Sequence, residues 1–164
     1  MTVSASFRQE TPEDHAVIQA LLVAAFRRSG EAELVEALRQ EGDLVLGGVA
    51  AVDGAIVGYA ALSRMRAPFP ALGLGPVAVD AAHRREGVAG APLRWSLAHV
   101  RKDQWRAIFV LGDGAFYGRF GFRPELAAGF SSPYAGPHFM ALELNGALPA
   151  RRSPVSYAPA FDRL

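Results

Sequence analysis

Cysteine is absent from the chain, which excludes disulfides, thiolate metal sites and a cysteine nucleophile together. Lysine is nearly absent: the 17 basic residues are all arginine except Lys102, a bias that points to a GC-rich, bacterial genome. There is little net charge, +1 at pH 7, so no global field gathers nucleic acid or an anionic membrane. Long apolar runs are missing as well; none approaches the roughly 20 residues of a membrane helix. The segment Met1 to Phe7 has no basic stretch followed by an apolar one. No secretion signal is therefore predicted, and the expected location is the cytoplasm. The four histidines lie far apart in the chain, in no spacing that suits a metal.

What is present is an ordinary globular composition, 51% apolar and 20% charged over 164 residues, enough for one domain with a real core. Val3 to Arg8 reads as a short edge strand. Thr11-Pro12-Glu13-Asp14 reads as a helix start, with Thr11 as N-cap, Pro12 in the first helical position and two acids facing the positive end of the dipole. Val17, Leu21, Leu22, Ala25 and Phe26 then recur at helical spacing, and a second, shorter helix carries Leu34, Val35 and Leu38 as far as Gly42. Leu44 to Val52 and Ala55 to Ser63 are strands joined at Asp53-Gly54, a hairpin dipeptide. Leu72 to Asp80 is another strand, Ala89 to Arg101 a helix, Ala107 to Leu111 a buried strand and Phe139 to Leu144 a last strand. The segment from 149 to 164, rich in Pro and Arg, is expected to run over the surface. This order predicts a mixed sheet with helices on its faces, in one domain spanning 1–164.

The stretch from Gly75 to Ala91 carries chemistry. A strand enters a turn that holds Arg84, Arg85, Gly87 and Gly90 and then a helix begins. The first amides of a helix lack internal partners, the dipole adds positive charge there, glycines permit close approach, and arginines neutralise the remainder. The turn is thus a cradle for an anion. No Lys-Ser/Thr follows the glycines, so a nucleotide P-loop fails. Gly73-x-Gly75 lies before or within a strand, so the dinucleotide fingerprint fails too. A second stretch, Ala115 to Pro124, reads as a short helical turn closed by Gly121 with aromatics packing back on the sheet. Taken alone it is core and punctuation.

Arg84-x-x-Gly87-x-Ala89, after a strand that ends in Asp80, resembles the Arg/Gln-x-x-Gly-x-Gly/Ala motif of the GNAT N-acetyltransferase superfamily. Tyr117-x-Arg119-x-Gly121-Phe122, about 30 residues on, resembles that superfamily's Tyr-x-Lys/Arg-x-Gly-Phe block. The run Val110 to Asp113 leading into Phe116 to Phe122, and the ending Tyr157 to Phe161, are similar to a bacterial YhbS-like subfamily. The resemblance covers about Phe7 to Phe161, and only Leu72 to Pro124 is specific. It departs from the usual pattern in the compressed Gly112-Asp113-Gly114 and in Ala89 in place of Gly.

The resemblance implies an α+β GNAT-like acyltransferase fold: a central, twisted, mostly antiparallel sheet with one splayed parallel strand pair and flanking helices. It implies that Arg84, Arg85, Gly87, Val88, Ala89 and Gly90 hold the pyrophosphate of acetyl-CoA. The backbone of Val77, Ala78 and Val79 would hold the pantetheine arm, and Tyr117 would protonate the departing thiolate. A phenol near pKa 10 can protonate a thiolate whose thiol lies near 8.5. Acyl transfer to an amine also needs a proton acceptor, and Glu33, Glu36, Asp80, His83, Asp113 and His138 are candidates. Glu33 is preferred because the segment after the first helix borders the acceptor cleft in the family.

The expected activity is direct acyl transfer from acetyl-CoA to an amine of a small molecule or protein. Partners would be acetyl-CoA and that amine, with no nucleic acid and no membrane, and a homodimer as the assembly to be tested. A non-catalytic acyl-CoA-binding module, or a domain for another nucleotide phosphate, are the competing readings.

Overall fold

The computed structural model describes residues 5–84 and 90–164. Six strands form one sheet in the order β1-β2-β3-β4-β5-β7, over Ser6–Gln9, Leu44–Val52, Ala55–Arg64, Ala71–Val79, Ala107–Leu111 and Phe139–Glu143. All neighbours are antiparallel except β4 and β5, which run parallel. Helices α1 (His15–Phe26), α2 (Gly30–Gln40) and α3 (Ala91–Val100) cover the faces. This is the mixed sheet that the element order predicts, with the single parallel pair that the resemblance implies.

Local chemistry accounts for these elements. The β2–β3 hairpin closes at Asp53 and Gly54, with φ of 51° and 80°, the double left-handed turn that suits the twist of flanking strands. At the start of α1, one 3-10 turn from Pro12 to Asp14 precedes the helix. There the Asp14 carboxylate accepts from the backbone N–H of Thr11 at 2.8 Å and from both Arg8 guanidinium nitrogens at 2.6 and 3.0 Å. The Arg8 hydrogen bond holds the Asp14 carboxyl well below the usual carboxylate range, against the opposing effect of burial. A carboxylate pKa depressed in the folded state stabilises above its unfolded value, near 4, and that contribution is lost as pH falls below it. Asp14→Asn is expected to cost about 1–2 kcal/mol at pH 7, since the Arg8 side of the pair is half exposed. The melting-temperature gap to the wild type should narrow as the pH is lowered from 6 to 3; a gap independent of pH would refute the ion-pair assignment.

Alternation along the strands builds two faces. Leu62, Leu72, Leu74, Ile108, Val110, Met140 and Leu142 pack with Leu93, Leu97 and Val100 of α3. On the opposite face Val49, Tyr59, Ala61 and Ala78 pack with Ile18 and Leu22 of α1 and Ala32 and Val35 of α2. Farther along that face Phe109 and Phe139 pack with Phe130, Val155 and Tyr157. Glu10, at the end of β1, accepts hydrogen bonds from Arg39 of α2 and Tyr59 of β3 and so ties sheet to helix beneath the α1–α2 groove.

The C-terminal segment corrects the sequence expectation of a surface course. Val155, Tyr157, Ala158 and Ala160 are buried, and Ala158 and Ala160 pack on Leu34 and Leu38 of α2. Two short strands, β6 (Phe130–Ser131) and β8 (Ser153–Pro154), pair in parallel, and Ser156 bridges to Arg66. The prolines and arginines that mark this segment as surface alternate with small and aromatic residues that cover the end of the sheet.

Candidate active site

The parallel pair is short. β4 and β5 are in register only at Ala71–Ala107, Leu72–Ile108 and Gly73–Phe109. Beyond Gly73, β4 continues to Val79 paired with β3 alone, while β5 continues to Leu111 paired with β7 alone. The two strands therefore part, and their facing backbone edges are open past that point. β4 is irregular at the same place. The β3–β4 register shifts between Leu62–Leu74 and Ala60–Val77, a bulge of the kind that re-aims a strand next to a site. Gly75 sits there at φ 142°, before a cis peptide bond to Pro76, a conformation open to glycine and costly for other residues.

A cleft of about 260 Å³ lies at this parting. From β4 and β5 it takes Leu74 to Val77 and Leu111; Tyr117 enters from the segment after β5. Leu74, Val77 and Tyr117 pack with the α3-side core, whereas Tyr134, Tyr157 and Phe161 pack with the opposite one. The cleft thus passes through the sheet, with the two faces contributing opposite walls. Phe26, Glu31, Leu34 and Leu164 complete the α2 side.

Tyr117 stands in α4 (Gly114–Tyr117), whose N-cap Asp113 accepts the N–H of Ala115 at 3.0 Å. A 3-10 turn to Phe120 follows, and the chain reverses at Gly121 with φ 97°. The ring is held edge-on by Phe116 and Phe122, at centroid distances of 5.0 and 5.8 Å. It also lies over Gly112, where a Cβ would come 2.7 Å from a ring carbon; only glycine leaves room for it. Burial, and to a lesser degree the charge of Asp113, push the Tyr117 hydroxyl above the usual phenol pKa. Tyr157 is 8% exposed and its hydroxyl has no hydrogen-bond partner among the described residues. An unsatisfied buried hydroxyl costs about 1–3 kcal/mol, a cost that a ligand's acceptor atom would remove.

Residues 6–124 match the family model of the acetyltransferase (GNAT) domain. The chain belongs to the GNAT acetyltransferase family. It is 41% identical over 125 residues, 74% of both chains, to the N-acetyltransferase YhbS of Escherichia coli K12. It is 30% identical to the N-acetyltransferase YjhQ of that strain, over 80% of this chain and 77% of the other. Among solved structures, YhbS from Escherichia coli in complex with CoA superposes with a TM-score of 0.91 and 32% identity, covering 99% of this chain and 94% of that one. A GNAT acetyltransferase from Brucella melitensis in complex with acetyl-CoA gives 0.83 and 34%, covering 97% and 99%.

For a GNAT chain the expected site residues fall into three groups. Tyr117 and Val77 line the cleft. Ala78 and Val79 continue the parted strand, and the Val79 carbonyl accepts from Arg84 Nε at 3.2 Å. Gly90 is the N-cap of α3, held so close to Phe120 that a Cβ would lie 2.9 Å from its ring. Arg85, Gly87, Val88 and Ala89 lie outside the described residues.

The third group lies away from the cleft. Glu33, preferred as base, is exposed on the far side of α2, beside Ala160 and Arg163, and does not line the cleft. Glu36 faces the groove between α1 and α2. Asp80 and Asp113 cap the short turns that follow them, His83 stands 3.8 Å from Asp80, and His138 is exposed. Among the described residues the acidic side chain at the cleft is that of Glu31. Helical spacing carries the signal for it: Glu31 lies one turn before the buried Leu34 and two before Leu38, whereas Glu33 and Glu36 fall on the solvated side.

Proposed function

We propose that this GNAT protein is an acetyl-CoA-dependent N-acyltransferase that transfers the acyl group directly to an amine, with Tyr117 as general acid. The observation that carries the reading is the placement of Tyr117 at the parting of β4 and β5, where the facing strand edges are open. Val77, Ala78 and Val79 supply backbone groups along that edge, suited to an extended amide-bearing arm. In the sequence Arg84 and Gly90 bound the anion-binding motif, and Gly90 is the N-cap of α3. The unpartnered Tyr157 hydroxyl fits a ligand that brings a carbonyl or thioester oxygen into the cleft. The solved relatives bound to CoA and acetyl-CoA support the same cosubstrate here.

Acetyl-CoA supplies an activated carbonyl. The neutral amine nitrogen forms the C–N bond at that carbon, the C–S bond breaks, and the Tyr117 hydroxyl gives its proton to the departing sulfur. The proton shed by the amine leaves through the solvent-open mouth of the cleft, edged by the exposed Phe26, Leu111 and Leu164, and Tyr117 is reprotonated. None of the six candidate bases named above lines the cleft, and Glu31, which does, is engaged by Arg28, which favours water as the acceptor of the amine's proton. Without cysteine, a thioester on the enzyme has no place in the cycle.

A ligand that binds only the folded state stabilises it by mass action. Acetyl-CoA at about 100 times its dissociation constant is therefore expected to add roughly 2.7 kcal/mol, read as a raised melting temperature, while ATP and NAD leave it unchanged. No shift with millimolar acetyl-CoA would overturn the reading. A shift with ATP or NAD instead would favour a different phosphate ligand.

A further inference from the structure

The acceptor side of the cleft has an unusual charge pattern. Among its described lining residues Glu31 has the single acidic side chain, and no lysine, arginine or histidine accompanies it. The rest of the α2 side is apolar or aromatic: Phe26, Leu34, Tyr134 and Phe161. Glu31 itself is 5% exposed. Its partner is Arg28, which donates from Nε to one carboxylate oxygen at 2.8 Å and from Nη2 to the other. Arg28 is not part of the lining, and its side chain is 63% exposed. A carboxylate has about four lone-pair sites over its two oxygens, so this single fork leaves acceptor capacity on each oxygen. The Arg28 hydrogen bond also holds the Glu31 carboxyl below its ordinary pKa, so it is an anion at neutral pH. Arg28 meets the buried anion from the exposed side, and a cation entering the cleft would share the remaining acceptor capacity.

We propose that the acceptor is a primary amine, bound as its ammonium on a compact apolar or aromatic body, and that Glu31 selects it by receiving the ammonium while Phe26, Leu34, Tyr134 and Phe161 receive the body. The proposal rests on the N-acyltransferase reading above. A cleft of about 260 Å³, shared with the reacting end of the cosubstrate, suits an amine with a single ring. An acceptor with a free carboxylate would meet no cation among the described lining residues. The second charge of a polyamine, or the hydroxyls of an amino sugar, would be desolvated against aromatic walls. The ammonium loses its proton to solvent before attack, so the balance is ammonium and acetyl thioester in, amide, thiol and one proton out.

The test is thiol release by the full chain with acetyl-CoA and four probes: phenethylamine, phenylalanine, spermidine and a short peptide with a free N-terminus. Phenethylamine is expected to have a kcat/KM at least tenfold above each of the others. Glu31→Gln should raise its KM about tenfold or more, with kcat within a few-fold of wild type and the melting shift by acetyl-CoA unchanged. Glu31→Asp should recover part of the loss. A merely structural role for Glu31 would lower stability and move kcat and cosubstrate binding together. Preference for any of the other three probes overturns the proposal, as does an unchanged KM in Glu31→Gln. If acetyl-CoA shifts the melting temperature but none of the four probes is acetylated, the acceptor class is wrong and the cosubstrate assignment stands. If acetyl-CoA gives no shift, the N-acyltransferase reading itself falls.

Discussion

Tyr117→Phe is expected to lower turnover about 100-fold while leaving the affinity for acetyl-CoA unchanged. The substitution removes one oxygen and nothing else. The ring keeps its edge-on contacts with Phe116 and Phe122 and its seat over Gly112, so packing gives no reason for the fold to change. What is lost is the proton that the leaving sulfur takes in the proposed cycle, and a positioned acid of this kind contributes roughly 10²–10⁴-fold. The lower end applies because water can reach an open cleft. Burial raises the Tyr117 pKa above the phenol value near 10, so the hydroxyl is protonated through the neutral range and into alkaline pH. The wild-type rate should accordingly show no alkaline fall assignable to Tyr117 below about pH 10. A variant that turns over at the wild-type rate, with chemistry limiting, would make another group the acid. A variant that loses stability together with cosubstrate binding would make Tyr117 a core residue. In a non-catalytic acyl-CoA-binding module neither protein would release thiol, so the same comparison separates that reading.

Much of the frame was legible in the chain, and of the candidate cleft Val77 and Tyr117 were. Asp53-Gly54 marked the hairpin because only a left-handed pair closes two twisted strands so tightly. Thr11-Pro12 marked the first helical turn, and the apolar run Ala107 to Leu111 gave a buried strand with its observed bounds. Tyr117 was legible because its motif is local: turn, ring seat and reversing Gly121 lie within ten residues. Glu31, Tyr134 and Tyr157 were not, since they reach the cleft from three segments that meet only when the sheet forms. No periodicity links an α2 glutamate to a tyrosine 126 positions on. Glu31 had a weaker signal in its spacing from Leu34 and Leu38, which places it inside where Glu33 is outside. The C-terminal course was misjudged for a related reason. Composition averages over a segment, while burial is decided residue by residue, and here Val155, Tyr157, Ala158 and Ala160 turn inward between exposed neighbours.

That C-terminal segment brings Tyr157 and Phe161 to the cleft, so whatever fixes its course should matter to the acceptor. Gly129 is the point to test. It is exposed, yet a Cβ there would fall inside contact distance of the Arg151 backbone carbonyl and 3.3 Å from Arg152 Cγ. The approach is backbone against backbone, so no rotamer change relieves it. The next residues, Phe130 and Ser131, pair with Ser153 and Pro154, and Val155 donates to the Ser131 carbonyl at 3.0 Å. Gly129→Ala must therefore move the 151–154 segment or break its ladder. Overpacking of this kind costs about 1–3 kcal/mol, and in a domain of this size each kcal/mol lowers the melting temperature by about 2–4 °C. A fall of roughly 2–12 °C is expected on those two scales. Because Tyr157 and Phe161 follow on the same segment, the KM for the acceptor should rise, while the dissociation constant for acetyl-CoA, proposed to depend on the β4 edge from Val77 and on the N-terminus of α3, should change little. Gly118→Ala provides the control. Gly118 has helical dihedrals and open space where a Cβ would stand, so alanine there should be neutral or stabilise by up to about 1 kcal/mol. A Gly129→Ala protein with a melting temperature within about 1 °C of wild type and an unchanged acceptor KM would show that the Arg151 carbonyl yields freely. The position of Tyr157 in the cleft would then depend on its own packing against Gly73 and Phe161 rather than on the β6–β8 clamp.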